Sequence, residues 1–254
     1  MKQERAVRTR NGLIRSAAEV FDDMGYAAAR QAVICQRAGV SLGALHFHFE
    51  NTGTLAAQVE QEAAAIFRAL LPPPGSRGSG SHLQTLVDTS HTLVAGLGSD
   101  VVLRAGFRLN NDATFPREPG RPDFRAEWEQ CVQRLLEEAE RARELVPGVA
   151  PHQAVTAIVA ITTGVEILGR DSRGWLSPYR LTGLWTFLLG GLAAEDVAPH
   201  LHPDGRHPAA LPADRPAPGP AVRRTGSPVR LRDRPEPPAS CHTCLHPSSE
   251  SDVA

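Results

Sequence analysis

Lysine is nearly absent from this chain of 254 residues: Lys2 is the only one, and arginine supplies the remaining basic residues. The two signs of charge almost cancel, with 27 lysine plus arginine residues against 28 aspartate plus glutamate residues and a formal net charge of −1. Such a balance excludes the global basic field that drives non-specific binding to nucleic acid. Any contact with DNA must therefore come from a local patch.

Long apolar runs and a disulfide framework are missing as well. No stretch reaches the roughly 18 consecutive apolar residues of a membrane-spanning helix, and the opening MKQERAVRTRNG lacks the apolar core of a secretory signal. The cysteines are scattered over four positions rather than arranged as in small disulfide-rich domains: Cys35, Cys131, Cys241 and Cys244. We expect a cytoplasmic, nucleoid-associated protein with no membrane partner.

The usual signatures of catalysis and metal binding do not occur. There is no nucleophile elbow, P-loop or HExxH motif, so the chain is not predicted to be an enzyme and no cofactor is expected. His46 and His48 would point to different sides of a helix. The motif CHTC at 241–244, with His246 beside it, lacks the two separated ligand pairs of a zinc site. A solvated segment is the favoured interpretation there, and no metal site is predicted.

Helical periodicity continues to about residue 198. The first apolar stripe has i, i+3, i+4 spacing and consists of Leu13, Ile14, Ala17, Ala18 and Phe21. Thr9 is the predicted N-cap of that helix and Gly25 its stop. Further helices are predicted over 54–71, 82–97, 100–110, 121–144, 151–169 and 178–194. Because no alternating strand pattern interrupts them, the predicted fold class is all-α.

The composition changes near the carboxyl end. Twelve of the 21 prolines fall between Pro199 and Pro247, and aromatic residues are absent from 200–254. Such a segment buries too little apolar surface to offset the entropy cost of ordering it. We therefore predict a disordered Pro/Arg-rich tail over 199–254.

The stretch QRAGVSLGALHFHFE, residues 36–50, has the features of a helix-turn-helix. Gly39 supplies a left-handed turn residue, a conformation that a side chain would penalise. Ser41 can cap the helix that follows, while Leu45 and Phe49 are the expected anchors in the core. From these residues alone, a DNA-binding helix-turn-helix and a plain helical hairpin remain equally good interpretations.

Two longer strings favour DNA binding. RTRNGLIRSAAEVFDDMGY followed by AGVSLGALHFHF resembles the N-terminal domain of the TetR family of repressors, and GALHFHF is similar to the GALYFHF string of the γ-butyrolactone receptor branch of actinomycetes. WEQCVQRLLEEA and LWTFLLGGLA resemble helices of that branch's ligand domain. The resemblance implies a three-helix helix-turn-helix domain over 1–53, a helical ligand-binding and dimerisation domain over 54–198, and a homodimer on double-stranded operator DNA.

The resemblance also implies which residues lie at the DNA. In the N-terminal arm they are Arg5, Arg8 and Arg10. At the second helix of the motif they are Ser41, Leu42, Gly43, Ala44 and His46. The small residues of this set would let the helix approach DNA closely.

Several positions depart from the family pattern. Members commonly carry lysine where this chain has Leu42 and Thr52, tyrosine where it has His46, and threonine then a hydrophobe where it has Arg30 and Gln31. Each lost phosphate contact lowers the slope of affinity against salt by roughly 0.9. Weaker non-specific affinity is therefore expected, partly offset by the arginines of the arm.

For the ligand domain, Trp128 matches the tryptophan that lies over the lipophilic ligand in γ-butyrolactone receptors. Six further residues are expected to complete an apolar pocket with a few polar groups: Phe107, Phe124, Val132, Ile158, Thr162 and Val165. Trp175 and Trp185 are interpreted as core residues.

The resulting hypothesis is a transcriptional repressor released from its operator by a small hydrophobic signalling ligand such as a γ-butyrolactone. Two alternatives stay open. A pseudo-receptor would bind DNA but respond to an antibiotic or another metabolite. A ligand-binding module would have lost DNA binding altogether.

Overall fold

The computed structural model describes residues 2–75 and 80–206. Within them the chain forms nine α-helices: α1 (Lys2–Met24), α2 (Gln31–Ala38), α3 (Leu42–His48), α4 (Thr52–Leu70), α5 (His82–Ser99), α6 (Val101–Asn111), α7 (Phe124–Arg141), α8 (Pro151–Asp171) and α9 (Pro178–Leu192). Short 3-10 helices follow α8 and α9, at Arg173–Leu176 and Ala198–His200. The same ranges contain no strand, only one isolated bridge between Leu145 and Ala193. The predicted all-α class is confirmed.

The first helix begins earlier than predicted. Thr9 is not its N-cap but lies inside α1, where its hydroxyl donates a hydrogen bond to the Arg5 carbonyl. The preceding residues are mostly Lys, Gln, Glu, Arg and Ala, which favour helix and extend it by two turns. The predicted end is confirmed, because Gly25 follows Met24 with φ +77°, a conformation that glycine adopts without strain. All five residues of the predicted apolar stripe are buried.

Helix α4 connects the helix-turn-helix to the rest of the molecule. It begins with a capping box, in which the Asn51 side chain accepts from the Thr54 N–H and the Thr54 hydroxyl accepts from the Asn51 N–H. It packs along α6, which also packs on α1. Gly106 makes the close approach of α6 to α4 possible, because a Cβ there would collide with Ala63. The proposed domain boundary at 53/54 thus falls inside a continuous helix.

The remaining helices surround the ligand-domain core. α7 lies between α5 and α8, and α9 contacts α5 and the 3-10 helix Arg173–Leu176. The predicted helix over 121–144 is shorter in the structure, because Asp123 caps α7 by accepting from the Ala126 N–H and the helix ends at Arg141. In α4, Leu55 and Val59 are buried as expected. Phe67 supplies the buried contact near the end of that helix, and Ile66 is only half-buried.

The predicted start of the disordered tail at 199 is wrong for its first residues. Residues 200–206 lie against α5: the Gln84 side chain accepts from the His202 N–H and donates to the His202 carbonyl. Leu201 is buried, and the His91 ring lies 2.9 Å from the Pro203 carbonyl oxygen. Polar residues of α5 thus bind a segment whose composition alone favours disorder. The rest of the predicted tail, including Cys241 and Cys244, lies outside the described residues.

One helix of the described ranges, α8, is long and apolar enough to cross a membrane by length and composition alone. It packs on α7 and the 3-10 helix Arg173–Leu176. Core helices of soluble proteins have the same length and hydropathy, so this property carries little weight.

Candidate DNA-reading surface and ligand cavity

The helix-turn-helix is built as its residues predict. Gly39 ends α2 in the left-handed conformation, at φ +67° and ψ +32°, and its N–H donates to the carbonyls of Cys35 and Gln36. The Ser41 hydroxyl accepts from the Ala44 N–H at 3.2 Å and caps α3. Leu45 is fully buried beneath it. α3 is therefore held by its buried side while its opposite side faces solvent.

The exposed side of α3 carries four residues. Three of them were predicted at the DNA: Leu42, Gly43 and His46. The fourth, Phe47, was missed, although its ring is 79% exposed. Its position four residues after Gly43 was the available signal, since residues at i and i+4 share a helix face. Ala44, also predicted, is half-buried and lies toward α1.

The arginines of the predicted N-terminal arm lie on the first part of α1. Arg5 lines a groove with Phe47 and His48, so the structure brings this cation to the side of α3. The Arg10 guanidinium lies 5.4 Å from the centre of the Phe49 ring, a cation–π contact at the base of the motif. Arg8 is exposed on the same helix.

Two of the departures from the family pattern lie at the start of α2. Arg30 occupies the N-cap position of α2 without a side-chain hydrogen bond to the helix, and Gln31 is half-buried. His46 is exposed, whereas His48 is half-buried and contacts Phe47 edge-on. Among the described residues no group of three or more potential metal ligands comes together.

A cavity opens in the second half of the molecule, between α5, α6, α7 and α8. The space in it that water-sized molecules can occupy is about 30 Å³. Four predicted ligand residues line it: Phe107, Phe124, Trp128 and Thr162. The other three do not: Val132, Ile158 and Val165 are buried in the surrounding core. Helical spacing placed them inward, but inward positions on α7 and α8 also pack against neighbouring helices.

Trp128 is almost completely enclosed, with 4% of its surface exposed. Its indole Nε1–H donates to the Thr162 hydroxyl at 2.8 Å, and that hydroxyl donates to the Ile158 carbonyl. The bond to Thr162 fixes the plane of the indole at the cavity wall. It also satisfies a buried donor that would otherwise be costly.

Two phenylalanines, Phe107 and Phe124, line another part of the cavity, and a third, Phe67, packs behind them. The Phe107 and Phe124 ring centres lie 4.8 Å apart, and both rings contact Phe67 of α4. Phe67 was not predicted at this site. Through Phe67, α4, the helix that follows the helix-turn-helix, therefore contacts residues that line the cavity.

Six polar or charged residues also line the cavity and were missed. They are Ser90, Asn110, Asn111, Arg125, Thr163 and Glu166. The Glu166 carboxylate is buried and paired with Arg170 at 2.6 Å. Burial raises the pKa of Glu166, and the positive charges of Arg170 and Arg125 oppose that rise. The cavity therefore offers apolar walls together with several hydrogen-bonding groups.

The sequence model described as "Bacterial regulatory proteins, tetR family" matches residues 13–59, which include α2 and α3. Over 213 residues the chain is 33% identical to the A-factor receptor protein of Streptomyces griseus, covering 81% of this chain and 71% of that protein. The chain belongs to the TetR family.

Solved structures place this TetR-family protein beside the γ-butyrolactone receptors. A γ-butyrolactone receptor described as an ArpA-like protein is 28% identical, with a TM-score of 0.67 over 77% of this chain and 94% of that chain. The TetR family protein CprB from Streptomyces coelicolor, solved with its biological operator sequence, is 27% identical, with a TM-score of 0.66 over 77% and 94% of the two chains. The predicted family and branch are confirmed, and the relatives are transcriptional regulators.

Two joints connect the first helix of this TetR-family chain and its α4 to the ligand domain. At the first, Asp22 of α1 accepts from Arg104 of α6 at 3.0 Å and from Arg173 at 3.1 Å, and Arg108 donates to the Asp22 carbonyl. Nearby, the Tyr26 N–H donates to Asp112. α6 is thus attached to the end of α1 by charged hydrogen bonds.

The second joint is a buried ion pair. Arg121 donates two hydrogen bonds to Glu60 of α4, at 2.6 and 2.8 Å, and the Asn110 amide donates to the same carboxylate. The Arg121 guanidinium also covers the Phe115 ring at 4.0 Å. Asn110 belongs to the cavity lining, so its amide links the cavity to α4 through Glu60.

An apolar face on α8 and α9 remains exposed. Phe187 is 82% exposed, and Tyr179, Ile167 and Leu168 are exposed as well. Other apolar residues of the same two helices are buried inside the subunit: Val155, Ile158 and Leu192. Trp185 is a core residue as predicted, whereas Trp175 is half-buried beneath Arg180.

Proposed function

We propose that this protein is a homodimeric repressor whose affinity for operator DNA falls when a small lipophilic ligand, such as a γ-butyrolactone, enters the cavity beside Trp128. The cavity carries the proposal. It holds only about 30 Å³ of space for water-sized molecules, less than the roughly 300–1,000 Å³ typical of open small-molecule sites, so the surrounding helices must move apart when a ligand enters. Its aromatic walls and the polar groups among them suit a ligand with an apolar chain and a compact polar head.

The receptors named among the relatives support this class of ligand. One is a receptor of A-factor and another a receptor of γ-butyrolactones, by their descriptions. In this chain Trp128 and the phenylalanine cluster would contact the apolar chain. Asn111, Arg125 and Glu166 would contact the polar head.

DNA binding would require two subunits. Homodimers are typical of the family, and the exposed face around Phe187 and Leu168 provides apolar surface for a partner subunit. A two-fold dimer presents two recognition helices roughly 34 Å apart, one turn of DNA. We place the protein in the cytoplasm, associated with the nucleoid.

Helix α6 provides a physical route from ligand to DNA. Phe107 and Asn110 face the cavity, while Arg104 and Arg108 of the same helix hold Asp22 at the end of α1. A ligand that displaces α6 would therefore change the position of α1 and, through Asn110 and Glu60, of α4. Operator affinity falls if the ligand prefers the arrangement in which the two α3 helices are wrongly spaced.

The test uses the full chain and duplexes selected from a random pool. We expect enrichment of a two-fold symmetric site, dimers in sedimentation, and release of the duplex by a γ-butyrolactone. Phe187→Arg should give monomers that have lost operator affinity. Gln130→Arg, at an exposed position of α7, should change neither the oligomeric state nor the operator affinity.

Each failure has its own meaning. Enrichment of a site with no response to γ-butyrolactones, but release by another metabolite, supports a pseudo-receptor. A selection that enriches no site contradicts a repressor and supports the alternative of a ligand-binding module that has lost DNA binding.

A further inference from the structure

The recognition helix α3 has few groups that can read bases by hydrogen bonding. Of its seven residues, LGALHFH, only His46 and His48 carry polar side chains. The strongest pairings in the major groove use Arg or Lys with guanine, Asn or Gln with adenine, and Asp or Glu with cytosine. None of these residue types occurs in α3. Base reading by this helix must therefore rely on contacts other than these pairs.

Phe47 is the largest side chain on the outer face of α3. Its ring is 79% exposed, so it contributes little to the core. The ring packs edge-on against His48, with centres 5.0 Å apart and planes at 85°, which limits its rotation. One turn earlier on the same face, Gly43 leaves open space: a Cβ there would meet only the Ser41 hydroxyl, at 3.9 Å. The face thus combines a projecting apolar ring with a gap beside it.

We propose that Phe47 reads the 5-methyl group of thymine, and that each operator half-site carries a thymine at the base step facing Phe47 and Gly43. Thymine is the base that presents an apolar group in the major groove, and phenylalanine is among the residues that contact it. The inference rests on the proposed function, because it requires α3 to enter the groove.

The surroundings of Phe47 favour DNA over a protein partner. Arg5 and Phe47 line the same groove between α1 and α3. A cation beside an apolar ring matches the edge of the major groove, where a phosphate lies near a base methyl. Leu42, in the first turn of α3, lies farther round the helix. We assign it to the sugar-phosphate backbone of the DNA rather than to the thymine methyl group.

The test replaces thymine by deoxyuridine, which removes only the methyl group, at each thymine of a duplex selected from a random pool. We expect one position per half-site at which the exchange weakens wild-type binding about fourfold, the effect of losing one buried methyl. Exchanges outside the half-sites should have no effect. Phe47→Ala should bind the thymine duplex about as weakly as wild type binds the uracil duplex, with no further loss on exchange.

Two matched variants separate this contact from electrostatics and folding. Phe47→Leu should keep part of the thymine preference, because it keeps an apolar side chain. Phe47→Ala should leave the salt slope of binding unchanged, whereas Arg5→Ala should lower it by roughly 0.9. Melting temperatures should stay at the wild-type value, since both residues are exposed.

The outcomes are distinguishable. A selected site that is insensitive to every thymine-to-uracil exchange overturns this inference and leaves the repressor intact. A thymine preference that persists in Phe47→Ala also overturns it, because another group then reads the methyl. A change of oligomeric state in Phe47→Ala without DNA shows a protein-docking role instead. Enrichment of no site overturns both the inference and the proposed function.

Discussion

The two functional regions of this molecule use aromatic side chains in opposite ways. On α3, Phe47 projects into solvent and packs against little besides its neighbour His48. In the ligand domain, Phe107, Phe124 and Trp128 are all buried and contact one another or the surrounding helices. The outer face of α3 carries side chains that lie outside the hydrophobic core, whereas the candidate ligand cavity lies within the core.

This difference separates stability from function in one region and couples them in the other. Substitutions on the outer face of α3 remove little packing within the subunit, so we expect their effects to appear in DNA binding rather than in stability. Substitutions around the cavity remove core packing together with any ligand contact. The same type of change, a large side chain replaced by alanine, should therefore have different consequences in the two regions.

The sharpest way to break the comparison is to truncate one aromatic residue in each region. Trp128→Ala should lower the free energy of unfolding by about 4 kcal/mol, because it leaves a cavity and loses the bond to Thr162. Phe47→Ala should change it by less than about 0.5 kcal/mol. Chemical denaturation of both variants provides the measurement. Equal losses would show that Phe47 packs in the folded protein.

The milder Trp128→Phe keeps an aromatic ring and permits a ligand measurement on a folded protein. Its ligand affinity should fall while operator affinity stays at the wild-type level, since Trp128 lies on α7. Unchanged affinity for a ligand that releases the operator would mean that the ligand binds away from the indole.

The next effect concerns the joint between the two regions. Arg121→Ala should lower the free energy of unfolding by about 3 kcal/mol, because it leaves Glu60 as an uncompensated buried charge. The double variant Glu60→Met with Arg121→Met should recover most of that loss, since apolar residues of similar size remove both charges. Denaturation of the three proteins checks this. A double variant as unstable as the single one would show that the other hydrogen bonds of Arg121 dominate.

A smaller effect is expected at the end of the described chain. Ending the protein after Pro199 should cost about 1–2 kcal/mol, because the burial of Leu201 and the hydrogen bonds to Gln84 are lost. Ending it after Arg206 should cost less than about 0.5 kcal/mol. Thermal unfolding of the two truncated proteins distinguishes them. Equal melting temperatures would mean that residues 200–206 contribute nothing to stability.

The smallest effect returns to the DNA-reading surface. Leu42→Lys should leave stability unchanged, because the side chain is 48% exposed, and should steepen the salt dependence of operator binding by roughly 0.9. Affinity for the selected duplex measured across a salt series tests this. Leu42→Met, which adds no charge, is the control. An unchanged slope for the lysine variant would place residue 42 away from the phosphates.

Turns and helix caps that depend on neighbouring residues were predicted well at the helix-turn-helix and less well at the first helix. Gly39 and Ser41 predicted the turn and cap of the helix-turn-helix, and the structure has both. Thr9 was misjudged as a cap, because a competing run of helix-forming residues lies before it. Phe47 was missed because periodicity identifies buried positions well and says little about which exposed residue projects.

The residues that line the cavity could be predicted only in part from sequence alone. Sequence alone supported an all-α chain, its family and an apolar ligand domain containing Trp128. It could not distinguish Phe107 and Phe124, which line the cavity, from Val132, Ile158 and Val165, which fill the core around it. All are apolar at inward helix positions. Only the packing of α5 to α8 decides where space remains, because a cavity is a property of several helices and of no single one.

The two joints and the packing of residues 200–206 on α5 likewise depend on contacts between distant parts of the chain. Glu60 and Arg121 are 61 positions apart, and Gln84 and His202 are 118 apart. No spacing in the sequence relates these residues. The sequence determined the helices, their caps and the motif that meets DNA, since these depend on neighbours within a few residues. Tertiary structure decided which charges pair, which segment packs on α5 and where space remains between the helices, because those depend on contacts between distant parts of the chain.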